Sequence, residues 1–295
     1  GMNYKSHIET VLHYINMQIR HDWSLEPDEA FNESISIDML SRVACLSRRN
    51  FQLVFKSVTK ETPRQYINRV RLEYGLQLLK EKRYSQKEIA ERTGWTNDTA
   101  FYNAFRKKYL QSPAKYGLGK FNSSIVSGPV GCSLLEFAER PIVFLIYQGC
   151  YADYASGCFE EKSWERLYDY AQSNSLLPEK EEYWGICYDD RDITADEKCC
   201  FYAGLTVRHL PKLKVTDEIK TMLLPKTRYA VYVHKGSYDE LDSFYNAILQ
   251  QIPEGYQLGE DLILERYLNS VADTSEGDLL TEVLLPVVKV SSNLL

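Results

Sequence analysis

Residues 85–117 read SQKEIAERTGWTNDTAFYNAFRKKYLQSPAKYG, and residues 36–66 read SIDMLSRVACLSRRNFQLVFKSVTKETPRQY. The two stretches repeat one pattern. Phe55-Lys56 is followed by Pro63 and Tyr66, and Phe105-Arg106 by Pro113 and Tyr116, every member offset by 50 residues. Leu40-Ser41 and Ile89-Ala90 hold similar places upstream. Self-similarity of this kind marks two copies of one supersecondary unit. Each copy parses as helix, turn, helix. In the first, Met39, Leu40 and Val43 form a short apolar face, Cys45-Leu46-Ser47 turns, and Ser47 caps a helix that points Phe51, Val54 and Phe55 inward. In the second, Ser85 and Glu88 form an S-x-x-E box, Gly94-Trp95 turns, and Phe101, Ala104 and Phe105 face inward. Thr62 caps, and Pro63 opens, a long helix between them that ends near Lys82.

Outward from this core, Ile8, Val11, Leu12, Ile15 and Ile19 share one helical face, with Ser6 and Glu9 expected as its capping box. The stretch 117–131, rich in Gly, Ser, Asn and Pro, reads as a linker. The expected organisation is a first domain over 1–117, a linker over 118–131 and a second domain over 132–295. In the second domain, strands are expected at Ile142–Tyr147, Trp184–Tyr188, Phe201–Val207, Tyr229–His234, Leu262–Leu268 and Glu282–Leu285, with helices at 161–173 and 238–251. The fold class is thus an all-α double helix-turn-helix domain followed by an α+β domain. Tyr147-Gln-Gly-Cys-Tyr151 and His234-Lys-Gly-Ser-Tyr238 each end an apolar strand and precede a helix, a second internal duplication. Two such strand-helix repeats side by side form a curved sheet with a cleft.

The net charge of −6 averages two unlike halves. Residues 1–120 carry 20 Lys and Arg against 13 Asp and Glu, whereas residues 121–295 carry 15 against 28. The first half is the one suited to a polyanion. The seven cysteines form no CxxC pair, and neither they nor the five histidines have metal-ligand spacing, so no metal or cofactor is expected. No apolar run approaches the ~20 residues of a membrane span. Gly1 before Met2 reads as the scar of a cleaved tag, no signal peptide is apparent, and the cytoplasm is the expected location.

Residues 5–117 resemble the AraC/XylS-type DNA-binding domain, on the strings IAERTGW, AFYNAFRKKY and SPAKY in the second unit and LSRVACLSRRNFQLVFK and TPRQYINRVRL in the first. Cys45, Lys60 and Leu110 stand where that family commonly has Gly. The resemblance implies that the second helix of each unit enters the major groove of double-stranded DNA. It presents Arg48, Arg49, Gln52, Leu53 and Lys56 from one unit, and Asp98, Thr99, Tyr102, Asn103, Arg106 and Lys107 from the other. Arg suits guanine, Asn and Gln suit adenine, and Leu53 suits a thymine methyl. Lys56, Arg106 and Lys107 are placed for phosphates. The ~30 Å length of the linking helix is close to one DNA turn, so a monomer is expected to cover two successive grooves. RNA polymerase is a further expected partner.

Residues 133–290 resemble the GyrI-like effector-binding domain, on WGICYDD (184–190), YAVYVHKGSY (229–238), LERYLN (264–269) and LTEVLLP (280–286). The tandem implies a regulator that binds a small effector, aromatic or cationic. By strand alternation Ile263, Glu265 and Tyr267 share a face, and the resemblance gives Glu265 the ligand-lining role. Trp184, Tyr188, Tyr147, Tyr232 and His234 are the other expected ligand residues, because rings around one carboxylate suit a lipophilic cation. No catalysis is expected. The competing expectation is a hydrolase of a small electrophile, with Glu265 as general base and Tyr147 or Tyr188 as acid.

Overall fold

The structure, a computed structural model, describes residues 3–120, 128–149 and 162–291, with side chains from 117 to 120 excepted. Residues 121–127 of the expected linker, Cys150, Tyr151 and Cys158 lie outside the described residues. The chain divides into two compact units. The first is Gly1–Asn122 together with Asp189–Thr194 and Lys214–Glu218, and the second holds the rest.

The first unit is helical: α1 (Lys5–Arg20), α2 (Ala30–Ser34), α3 (Ile37–Ala44), α4 (Arg48–Thr59), α5 (Pro63–Lys80), α6 (Gln86–Arg92), α7 (Asp98–Tyr109) and α8 (Pro113–Lys120). The expected box at the start of α1 does not form: the helix begins at Lys5, and Tyr4 occupies its cap without a side-chain bond. Glu9 is instead buried on the helix. The expected box of Ser85 with Glu88 does form ahead of α6, and the Thr62 cap ahead of α5 proves to be a box as well, with Gln65. The core gathers Ile8, Leu12 and Ile15 from α1, Leu40, Phe51 and Phe55 from the first helix pair, and Ile89, Phe101 and Phe105 from the second. Gly94, at φ +78°, turns α6 toward α7, and a Cβ there would meet the Phe31 side chain at 2.7 Å. Ile193, in the segment Asp189–Thr194, belongs to the same core.

In that unit α5 carries a buried polar relay. Arg69 pairs with Glu61 and with Glu73, each at 3.0 Å, and Thr194 Oγ1 donates to Glu73 Oε2 at 2.9 Å. Burial pushes the Glu73 carboxyl up, and Arg69 and Thr194 pull it back. Two turns further on, Lys80 Nζ meets Asp190 at 2.9 Å and Asp192 at 3.1 Å.

The second unit is an antiparallel sheet with β1 (Cys132–Phe137), β2 (Arg140–Gln148), β3 (Tyr183–Cys187), β4 (Cys200–Thr206), β5 (Lys220–Leu224), β6 (Thr227–Lys235), β7 (Tyr256–Leu258), β8 (Leu264–Tyr267) and β9 (Leu280–Lys289), plus α9 (Ser163–Ser173) and α10 (Leu241–Leu249). The strand order is β1-β6-β9-β8-β3-β4-β2-β5, with β7 beside β9. Its two halves are the same path written twice and joined at β8–β3. Cys200 at the start of β4 answers to Leu280 at the start of β9, and the 3-10 turn Asp196–Lys198 to Glu276–Asp278, each 80 residues on. By the same offset Gly185 answers to Glu265, and these two residues face each other in the β3–β8 register. The pseudo-two-fold axis of the repeat therefore runs through that pair. Helix α9 packs against β4 and β2, and α10 against β6. Both lie over the face that carries Glu265. Among the described residues no helix is long and apolar enough to cross a membrane.

Candidate DNA-reading face and ligand site

The two second helices present their polar sides outward. Ser47 accepts from the Asn50 amide to cap α4, and Asn97 accepts from the Ala100 amide to cap α7. With Phe51 and Phe55 buried, Arg48, Arg49, Gln52, Leu53 and Lys56 are exposed on α4. With Phe101 and Phe105 buried, Asp98, Thr99, Asn103, Arg106 and Lys107 are exposed on α7, and Tyr102 is half-buried. Arg48 lies 3.1 Å from Asp38, an exposed pair too weak to hold the guanidinium against a stronger anion. Leu53, 64% exposed, is a large apolar side chain in the middle of this polar surface.

The second site is built around Glu265, which is 4% exposed at the centre of the sheet. Tyr245 of α10 donates to Oε1 at 2.9 Å and Tyr267, two residues along β8, to Oε2 at 2.5 Å. A buried carboxylate requires such donors. Around Tyr267 the rings of Trp164 and Tyr238 stand edge to face at 5.5 and 5.9 Å, and Trp164 meets Tyr183 in the same way at 6.1 Å. Burial, and then the Glu265 carboxylate, push the Tyr238 hydroxyl up to about 12, so it keeps its proton at neutral pH. Gly185 makes this packing possible. A Cβ there would collide with the Tyr267 hydroxyl and stand 2.9 Å from the Phe201 ring. The result is one carboxylate, two hydroxyls locked onto it and a wall of ring edges and faces, a set that attracts cations and stacks on aromatics.

The strand register sorts the residues expected at this site. Opposed residues in an antiparallel pair share a face, and Tyr232–Val283–Glu265–Gly185 is one continuous row across β6, β9, β8 and β3. His234 lies in the next row with Tyr267, and Tyr147, opposite Phe201, is on the same face. The polar ends of Tyr232 and His234 point elsewhere, however: Tyr232 donates to the Gln251 carbonyl, and His234 Nε2 bonds the Ser237 carbonyl beside the Phe244 ring. Trp184 and Tyr188 are on the opposite face, because Gly185, not Trp184, is opposed to Glu265. Trp184 donates from Nε1 to Thr206 at 2.8 Å and lies under the Arg266 guanidinium, while Tyr188 packs on Tyr202. Arg266 is itself bound by Glu182 and Glu282, each at 2.9 Å. Of the expected ring residues, Tyr267 donates directly to Glu265. Trp164, Tyr238 and Tyr245 take the places assigned to the others; they lie on the helices or at their starts, where strand alternation does not reach.

Residues 132–288 match the family described as a GyrI-like small molecule binding domain, and residues 40–117 match a helix-turn-helix domain. Over 81 residues the chain is 36% identical to the HTH-type transcriptional regulator AlkR of Acinetobacter baylyi, covering 28% of this chain and 26% of AlkR. Over 89 residues it is 35% identical to the probable transcriptional regulator LumQ of Photobacterium leiognathi, covering 30% of this chain and 36% of LumQ. The chain thus spans little more than a third, at most, of the length of these curated relatives. Among solved structures it is similar to EcmrR in its complex with DNA, with a TM-score of 0.46 and 15% identity, covering 86% of this chain and 99% of that one.

Proposed function

The chain belongs to the GyrI-like small-molecule-binding family and carries an AraC-type helix-turn-helix region ahead of that module, and from this we propose that it is a ligand-responsive transcription regulator. In this reading residues 1–117 bind double-stranded DNA, 118–131 link, and 132–295 receive the effector. Arg48, Arg49, Gln52, Leu53, Asp98, Thr99, Tyr102 and Asn103 meet base edges, and Lys56, Arg106 and Lys107 meet phosphates. The protein acts in the cytoplasm, as a monomer on DNA, and works on RNA polymerase.

The observation that carries the sensing half is Glu265, buried among rings with both oxygens already held by tyrosine hydroxyls. That arrangement suits an aromatic cation, whose charge meets the carboxylate while its rings meet Trp164, Tyr238 and Tyr267. Tyr147, Tyr232 and His234 border the same face. Each carboxylate oxygen takes one tyrosine hydroxyl and keeps further acceptor capacity toward a cation.

Calorimetry with tetraphenylphosphonium and its isosteric anion tetraphenylborate tests the reading. The cation binds the wild-type chain and the anion does not, and Glu265→Gln weakens the cation tenfold or more, because it removes the opposite charge from a buried site. Preference for the anion, or equal affinity of wild type and variant, overturns it.

A further inference from the structure

After β3 ends at Cys187 the chain passes through Tyr188 into Asp189–Thr194, and this segment belongs to the helical unit. It contributes Ile193 to that unit's core, Thr194 to the relay on α5, and Asp190 and Asp192 to Lys80. In the middle of the strand, four residues before Asp189, is Gly185, opposed to Glu265 and covered by Tyr267. From Glu73 the relay passes through Arg69 to Glu61, just beyond Lys60 at the end of α4, and Thr59 Oγ1 donates to the Glu61 carbonyl. A chain of short contacts thus runs from the covalent end of β3 to the end of a DNA-reading helix.

The repeat supplies an internal comparison. The segment after β8 is the counterpart of this one, and its backbone makes the same turn. Ile193 and Thr194 donate to the Asp190 carbonyl at 2.9 and 2.8 Å, while Asp273 and Thr274 donate to the Ser270 carbonyl at 3.3 and 3.0 Å. The side chains differ. Asp190, Asp192 and Ile193 are replaced by Ser270, Ala272 and Asp273, and residues 270–273 are exposed. The fold therefore needs the turn in both copies, but only one copy carries the acids and the isoleucine that engage α5.

We propose that Asp189–Thr194 is the transmission segment of the regulator, through which a change at the Glu265–Gly185 pair alters α5 and the seating of α4 on DNA. The inference rests on reading Glu265 as the effector-responsive position. It identifies one physical element that both sites bias, as coupling between sites demands.

The test is a double-mutant cycle on the full chain without any ligand. The readout is fluorescence anisotropy with a duplex selected from a random pool by the wild-type protein. Gly185→Ala displaces Tyr267 and should shift DNA affinity at least threefold. In a chain that also carries Asp190→Asn, Asp192→Asn and Thr194→Val, the same substitution should shift it less than 1.5-fold. With Ser270→Ala and Asp273→Asn in the counterpart segment, the threefold shift should remain. Tyr267→Phe replaces Gly185→Ala if that chain misfolds by circular dichroism, and Thr194→Val alone replaces the triple variant on the same ground. An undiminished shift in the segment variant, or no shift from either site variant, overturns the proposal. Failure of tetraphenylphosphonium to bind the wild type would instead overturn the ligand class and leave this cycle intact.

Discussion

Leu110 ends α7 at φ +61°, Lys60 ends α4 at +66° and Cys45 ends α3 at +54°. All three are the places where the related family commonly has Gly. Each L-residue there carries left-handed strain of roughly 1–2 kcal/mol, reduced in the balance with Gly by the freedom Gly has when unfolded. Leu110, 83% exposed, loses no packing on truncation. Leu110→Gly should therefore stabilise the helical unit by roughly 0.5–1 kcal/mol, read as a higher denaturation midpoint, and an unchanged or lower midpoint would contradict it. The E-x-Y string, read through the family resemblance, points to Glu265 and Tyr267, and the structure brings these two into contact. Their partners were not legible in the sequence. A tyrosine on a helix carries no sign of which strand it crosses, and Tyr245 is one of 22. Tyr245→Phe should weaken tetraphenylphosphonium by several-fold or less, since it removes a neutral donor and leaves the charge; a loss matching that of Glu265→Gln would show that the hydroxyl, not the carboxylate, governs the site.

At the scale of elements, α4 and α7 offer different partners to DNA along their lengths. Arg49→Ala and Asn103→Ala should each relax discrimination at a different half-site, by about 1–3 kcal/mol per lost base contact. Lys107→Ala should weaken every sequence about equally and lower the salt slope by about 1. Binding-site selection with the three variants decides this, and indistinguishable outcomes would undo the division into base and phosphate contacts. The paired helices and α5 were legible because caps, apolar spacing and a 50-residue repeat agreed with one another, whereas α2 at Ala30–Ser34 carries no such signal. Helix α5 ends at Lys80, two residues earlier than the pattern suggested. Strands β1, β5 and β7 had no such support. β1 leaves five of its six residues exposed and β5 alternates only over five, so neither shows the apolar run that announces a buried strand. Trp184 was misplaced for a related reason. Alternation gives the parity within one strand, but which parity meets Glu265 depends on the register with β8, and no single strand contains that information.

For the whole molecule, segment Asp189–Thr194 means that the helical unit is not made by the first 120 residues alone. A fragment of residues 1–120 should melt several degrees below the helical transition of the full chain, because it lacks the Ile193 side chain and leaves Glu73 without the Thr194 hydroxyl; equal melting would show the segment to be incidental to that unit. The full chain should bind its operator one to one and lose affinity steeply with salt, checked by footprinting and by titration at two ionic strengths. The pair on the pseudo-two-fold axis has a longer reach. A tandem copy that is faithful at this position has either two glutamates meeting at one spot or two glycines and no charge there. Only divergence between the copies leaves a single acid at the centre. A lone acid on the axis therefore requires positions 185 and 265 to differ, and the residue at 185 sets how many charges meet at that spot.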